Sequence, residues 1–184
     1  MSLLAESLVE EWLNRKSFFT IRGIKHGIGE LDLLGIHRET DGVVTGWHVE
    51  VQVSFRPVGY ITKITKNMAK STGRARGSAK TRTPDEIETC AREWVRSKFS
   101  GKDKERVRES LWSGVKWSFH LVHGVAKEPK ELEVFKSEGV ICHPFSQLLD
   151  ELSHRPEHAY SGSAGGDLAE IVSYYDRVKQ KPSQ

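Results

Sequence analysis

Three polar side chains lie in strand-like segments that do not need them for packing. Residues 27–55 contain two apolar runs that alternate at period two around a turn-like segment, which predicts two strands joined as a hairpin. Asp32 lies in the first run, and Glu50 and Gln52 share one face of the second. Carboxylates on rigid strands suit Mg²⁺ or Mn²⁺, which can polarise a phosphoryl oxygen and supply a hydroxide-like nucleophile. A half-solvated antiparallel sheet would show the same pattern, so the pattern alone leaves both interpretations open.

A basic segment follows these two strands. No Asp or Glu occurs from Val51 through Pro84. Such a run, mixed with Gly, Ser and Thr, is typical of a surface that binds a phosphate backbone, and a solvated loop without a partner is the alternative. We favour nucleic-acid binding because the segment begins just past Gln52. The cations expected to bind nucleic acid are Arg56, Lys63, Lys66, Lys70, Arg74, Arg76, Lys80 and Arg82.

Length and composition narrow the class of protein. The chain has 184 residues and a net charge of +3, which suits one domain with a real core. No apolar run approaches the ~18 residues of a membrane span, and the acidic N-terminus does not resemble a secretory signal. Cys90 and Cys142 are expected to be free thiols in a cytoplasmic protein without a membrane partner.

The elements that position these residues can be predicted from periodicity and capping. Thr83, Pro84 and Glu86 form a capping box that starts a helix running to about Phe99. The other predicted helices cover 3–16, 61–70, a mostly exposed 102–112, 130–137, a stretch from Pro144, and one from Asp167. The other predicted strands cover 17–22, 115–121 and 139–143, with loops at 23–29 and 73–82. We expect a core domain over 1–154 with a basic insertion around 56–82, then a linker over 155–166 and a C-terminal helix within 155–184. Whether that helix docks on the core or on a second copy is left open.

The motifs Gly29-Glu30-Leu31-Asp32-Leu33 and Val49-Glu50-Val51-Gln52 follow a first-helix acid, Glu6. In this order they resemble the restriction-endonuclease-like nuclease superfamily, known by the motif PD-(D/E)xK. The similarity is strongest to its archaeal Holliday-junction-resolvase-like members and to its small bacterial Gly-Glu-(Ile/Leu)-Asp-Leu members. It covers 3–55 by motif and extends to about 153 by element order. It implies an α/β restriction-endonuclease-like core in the order α-β-β-β-α-β-β-α, with a central mixed sheet of four to five strands flanked by helices.

The resemblance also implies roles for individual residues. Asp32 and Glu50 would bind Mg²⁺ or Mn²⁺, and the main-chain carbonyl of Val51 would complete that site. Glu6 resembles a first-helix Glu that assists through a second metal or a water. Dimers are common in this superfamily, so a homodimer is left open.

Gln52 departs from the motif, because most members carry Lys at that position. A Lys beside the attacking water would stabilise hydroxide and the developing phosphoryl charge, whereas an amide can only orient the water. Some active members do use Gln, and a lysine from elsewhere could substitute, with Lys25, Lys63 and Lys66 as candidates.

We therefore expect a metal-dependent endonuclease that acts on DNA, with RNA left open as a partner. A nuclease-like domain that binds nucleic acid or scaffolds a complex without cutting is one alternative. An α/β domain with no nucleic-acid role is the other.

Overall fold

A five-stranded mixed sheet forms the centre of the molecule. The computed structural model describes residues 3–26, 29–154 and 164–180. The strands lie in sequence order, the first three antiparallel and the last three parallel. They are β1 (Phe19–His26), β2 (Gly29–Arg38), β3 (Val44–Gln52), β4 (Lys116–His123) and β5 (Val140–Pro144). The predicted α/β class with a mixed sheet flanked by helices is confirmed.

Helices cover both faces of this sheet. They are α1 (Leu3–Arg15), α2 (Lys66–Thr72), α3 (Pro84–Phe99), α4 (Lys102–Leu111), α5 (Lys130–Ser137), α6 (Phe145–Ser153) and α7 (Ala164–Gln180). One face packs residues such as Val49 and Val51 against α1, α6 and α7. The other packs Leu121 against α3 and α5. Asp32 and Glu50 are themselves buried, so a solvated sheet face does not explain these two polar residues.

The start of α3 follows the predicted capping box. The Thr83 Oγ1 accepts a hydrogen bond from the Glu86 N–H at 3.3 Å, and the Glu86 carboxylate accepts one from the Thr83 N–H at 2.9 Å. These two bonds satisfy amide groups that the first turn leaves unpaired. They set the register of α3, and with it the face that the helix turns toward β3.

Three predicted element boundaries are wrong. Residues 23–26, expected as loop, extend β1 because Ile24, Lys25 and His26 pair with β2. The short helix expected at 61–70 is α2 at Lys66–Thr72. Part of the expected linker, 164–166, is already helical, while 155–163 lie outside the described residues. Gly165 permits this start, because a Cβ there would come within 2.3 Å of the Ser7 carbonyl oxygen.

The last helix docks on the core, which decides the question left open by the sequence. Leu168 and Ala169 pack into the same cluster as α1 and α6. The charged helix α4 is mostly exposed, as expected, except for buried Val107 and Arg108 and half-buried Lys104. Cys90 and Cys142 are both free. Within the described part of the chain, no helix is long and apolar enough to cross a membrane.

Candidate active site

The strands carrying Asp32 and Glu50 separate where the two acids lie. Paired residues of β2 and β3 run from Arg38 opposite Val44 to Leu33 opposite Val49. At the next position along β2, the Asp32 side chain accepts a hydrogen bond from the Val51 N–H, at 2.8 Å. A hydrogen bond to the Asp32 carboxylate thus joins β2 and β3 beyond their last backbone pair.

Asp32 and Glu50 are in direct contact and almost completely buried. The two carboxyl groups interact with each other, and the residues are 2% and 0% exposed. Burial, with the Glu50 charge next, raises the pKa of Asp32 to about 7. Burial also acts against ionisation of Glu50, but a hydrogen bond from His48 and the charges of two lysines lower the pKa of Glu50 to about 2. Near neutral pH Glu50 is therefore ionised, and Asp32 changes between its protonated and ionised forms.

Those two lysines come from helices that the sequence analysis did not connect with the site. The Lys98 Nζ on α3 donates to Glu50 Oε2 at 2.5 Å. The Lys104 Nζ on α4 donates to Glu50 Oε1 at 3.1 Å and to the Glu30 carbonyl at 3.0 Å. Burial disfavours the charge on Lys98, but Glu50 and Asp32 outweigh it and raise the pKa of Lys98. The site therefore has an ammonium beside the carboxyl pair, although Gln52 replaces the motif lysine.

His48 holds Glu50 from the opposite direction. The Arg108 guanidinium lies 3.0 Å from His48 Nδ1, and His48 Nε2 lies 3.3 Å from Glu50 Oε1. Because a guanidinium can only donate, Nδ1 accepts and Nε2 carries the proton that is donated to Glu50. Burial lowers the pKa of His48, consistent with a neutral ring. The sequence placed His48 on the same face as Glu50, but it contained no signal for Arg108.

Glu6 and Gln52 lie near the pair. Glu6 does not join Asp32 and Glu50 as a third grouped acid. Glu6 is 8% exposed, and burial followed by the charges of Glu30 and Glu50 raises its pKa. Glu6 thus lies within electrostatic range of the same acidic end. Gln52 is half-buried and lines a cavity. Across residues 3–26, 29–154 and 164–180, no three His, Cys, Asp or Glu side chains are grouped to hold a metal ion.

The cavity beside the carboxyl pair has a volume of about 290 Å³. Lys98 lines it and also donates to Glu50, so the cavity and the acidic pair share a residue. Three cations, an indole and several smaller polar groups surround the space. The lining residues are Gln52, Ile61, Lys63, Arg76, Cys90, Glu93, Trp94, Ser97 and Lys98.

Most cations predicted to bind nucleic acid lie on the surface, and two of them, Arg74 and Arg76, also contact neighbouring residues. The exposed members are Arg56, Lys63, Lys66, Lys70, Arg76 and Lys80. Arg76 lines the cavity, and its Nε donates to the Ile64 carbonyl at 3.1 Å. Arg74 is ion-paired with Glu86 at the start of α3. Of the lysines proposed to replace the motif Lys, Lys63 lines the cavity, whereas the lysines that contact Glu50 are Lys98 and Lys104.

Arg82 is buried, unlike the other cations predicted to bind nucleic acid. It is 5% exposed and donates to the carbonyl and hydroxyl oxygens of Thr62, at 2.9 and 3.0 Å. Its guanidinium lies 3.9 Å from the centre of the Tyr60 ring and 3.6 Å from the Glu131 carboxylate, which is 0% exposed. Arg82 therefore compensates a buried charge and holds the segment before α3 against α5.

A further buried polar residue, His120, lies away from the carboxyl pair. His120 is 2% exposed, stacks on Trp47 with ring centres 3.7 Å apart, and lies 2.9 Å from His143. Burial, followed by the charge of His143, lowers the pKa of His120 to about 3. The His120 ring is therefore neutral under ordinary conditions, in keeping with a structural role.

Comparisons with known proteins do not assign the chain to a family. No protein-family model matches the chain, and no curated protein matches it. Among solved structures, the crystal structure of a protein of unknown function, AF1548, aligns with a TM-score of 0.48 and 14% sequence identity. The alignment covers 92% of this chain and 77% of that chain.

Proposed function

We propose that this protein is a metal-dependent nuclease with a restriction-endonuclease-like core that hydrolyses DNA phosphodiester bonds. The observation that carries the proposal is the contact between Asp32 and Glu50 where β2 and β3 separate. Two buried carboxyls in contact raise the pKa of one of them, which costs stability at neutral pH. Side chains that served packing alone would not need this arrangement, whereas perturbed acids are frequent at functional sites.

The donor atoms fit Mg²⁺ or Mn²⁺. Both ions prefer oxygen ligands, and a divalent charge would relieve the repulsion between two ionised carboxylates. Asp32 and Glu50 would hold the ion, with the Val51 main-chain carbonyl as a third ligand. The bound ion would supply charge stabilisation at a phosphoryl oxygen and a water of lowered pKa.

Residues around the pair supply the remaining functions. Lys98 provides the positive charge that Gln52 lacks, beside the position where a phosphate would carry developing negative charge. Gln52, at the end of β3, can orient a water through its amide. Lys104 and His48 both donate to Glu50 Oε1, and Lys98 donates to Oε2, so the carboxylate is held in a single orientation. Glu6 adds negative charge at the edge of the site and assists through a water.

The exposed part of the basic segment would bind the DNA backbone. The segment runs from the end of β3 to the start of α3, two elements that also carry site residues. Lys63 and Arg76 connect it directly to the cavity. Phosphate contacts of this kind release counterions, so binding would weaken steeply as salt is raised.

The test is cleavage of linear, mismatched and branched DNA with Mg²⁺ or Mn²⁺. Asp32→Asn is compared with Asp150→Asn, a matched change at an exposed position on α6. We expect cutting that requires the ion, is lost in Asp32→Asn and is kept in Asp150→Asn. Mn²⁺ binding followed by electron paramagnetic resonance should show the same dependence on position 32. Cutting that survives Asp32→Asn or a chelator would refute the proposal.

A nuclease-like domain that binds nucleic acid without cutting is the second candidate. It is favoured by the donors that already occupy both Glu50 oxygens and by the absence of a third grouped acid among the described residues. This alternative predicts salt-dependent DNA binding with neither Mn²⁺ binding nor cleavage on any substrate.

A further inference from the structure

The cavity beside the carboxyl pair begins where a scissile phosphate would lie. Lys98 contacts Glu50 and lines the cavity, and Gln52 follows Glu50 by two residues on the same face of β3. A group placed in the cavity would therefore adjoin the phosphate held by the acidic pair. The inference below rests on the proposed nuclease function for that phosphate.

The size of the cavity limits what can enter it. Its volume of about 290 Å³ lies just below the range for small-ligand sites, ~300–1,000 Å³. A duplex cannot enter such a space, whereas a single nucleotide can. The cavity is open at the surface beside the basic segment, because exposed Lys63 and Arg76 form part of its lining.

The lining also has the chemistry of a nucleotide site. Lys63, Arg76 and Lys98 supply positive charge for a phosphate. The Trp94 ring is held by Phe135 and Phe99, with ring centres 4.9 and 5.9 Å away, so it is a preordered surface for stacking. The Glu93 carboxylate and Ser97 hydroxyl offer polar contacts to the edge of a base.

We propose that this cavity receives one unpaired nucleotide of the DNA strand that is cut. Its base stacks on Trp94, and its phosphate lies toward Lys98. Taking a base out of a duplex costs a few kcal/mol, and the cost is least for a mismatched, bulged or single-stranded base. Substrates with an unpaired nucleotide beside the cut are therefore preferred over perfect duplex by roughly 10- to 100-fold.

The experiment measures binding, so it does not depend on cleavage. A duplex with a single bulged 2-aminopurine is titrated with the Asp32→Asn protein, beside the perfect duplex and a single strand. We expect the fluorescence of the bulged base to be quenched on binding, because a base that stacks on an indole loses emission. An unchanged or increased signal overturns the proposal.

Cavity-filling variants locate the effect. Ser97 and Thr89 are both exposed on α3, but only Ser97 lines the cavity. Ser97→Phe in the same background should lower affinity for the bulged DNA roughly 10- to 100-fold, to the level of perfect duplex. Thr89→Phe should change the affinity for neither the bulged DNA nor the perfect duplex. Ser97→Leu provides the same comparison with a smaller side chain if Phe disturbs folding. A preference for bulged DNA that persists in both Ser97 variants overturns the proposal.

The two proposals fail in different ways. Metal-dependent cutting of all DNA at equal rates, unaffected by Ser97→Phe, leaves the nuclease standing and refutes the nucleotide site. Quenching that Ser97→Phe abolishes, in a protein that cuts nothing, supports the nucleotide site and refutes the nuclease.

Discussion

Replacing Asp32 by Asn should stabilise the fold at alkaline pH. The folded protein raises the pKa of Asp32 from 3.8 to about 7, so it holds this proton more tightly than the unfolded chain does. The resulting stability is fully present below pH 3.8 and is lost as pH rises through 7. At 1.36 kcal/mol per pKa unit, the loss reaches up to ~4 kcal/mol at pH 8.

An amide avoids this loss and keeps the local contacts. Its oxygen can accept the Val51 N–H bond, and its NH₂ group can donate to the Glu50 carboxylate. The depressed pKa of Glu50 has the opposite sign and adds stability that is lost as pH falls from 4.5 towards 2. Because both proteins contain Glu50, that contribution largely cancels in the comparison.

The assay is urea unfolding of the wild type, Asp32→Asn and Asp150→Asn from pH 4 to pH 8, with a chelator present. The difference in unfolding free energy between wild type and Asp32→Asn should grow across this range in favour of the variant. Asp150→Asn should follow the wild type. A difference that is independent of pH, or a variant less stable than wild type at pH 8, would show that the folded protein does not raise the pKa of Asp32.

Three further changes test other parts of the structure. Lys98→Met should lower cutting by ~10²–10³-fold but leave Mn²⁺ binding intact, whereas Lys102→Met, at an exposed position, should change neither cutting nor Mn²⁺ binding; equal cutting rates would remove Lys98 from the mechanism. Arg82→Ala should lower the unfolding free energy by ~3 kcal/mol, because it leaves a buried carboxylate unpaired. Lys80→Ala should instead keep the melting temperature and reduce the salt dependence of DNA binding by ~1 in the log–log slope, and the opposite pattern would return Arg82 to the DNA surface. His120→Gln should make the melting temperature less sensitive to acid. Folding lowers the pKa of His120 from 6.5 to about 3, so the contribution of the neutral ring to stability is lost as pH falls below 6.5. An unchanged fall of the melting temperature at low pH would contradict this.

Local signals in the sequence were sufficient for most elements. Period-two alternation identified the strands of Asp32 and Glu50, and Thr83 with Glu86 identified the start of α3. These signals depend on residues a few positions apart, which the backbone brings together in any fold that contains the element. The α/β class and the shared face of His48 and Glu50 followed from the same periodicity.

The surroundings of the acids were decided only by the tertiary structure. Lys98 and Lys104 lie 48 and 54 residues from Glu50, on helices whose docking no local pattern specifies. In the sequence Arg82 resembles its exposed neighbours in the basic segment, but in the fold it is buried beside Glu131, 49 residues away. The sequence by itself determined which strands carry the carboxyls and that cations follow them. Only the packing of α3, α4 and α5 on the sheet decided which of those cations neutralise buried acids and which remain at the surface, because that choice depends on contacts between residues distant in the chain.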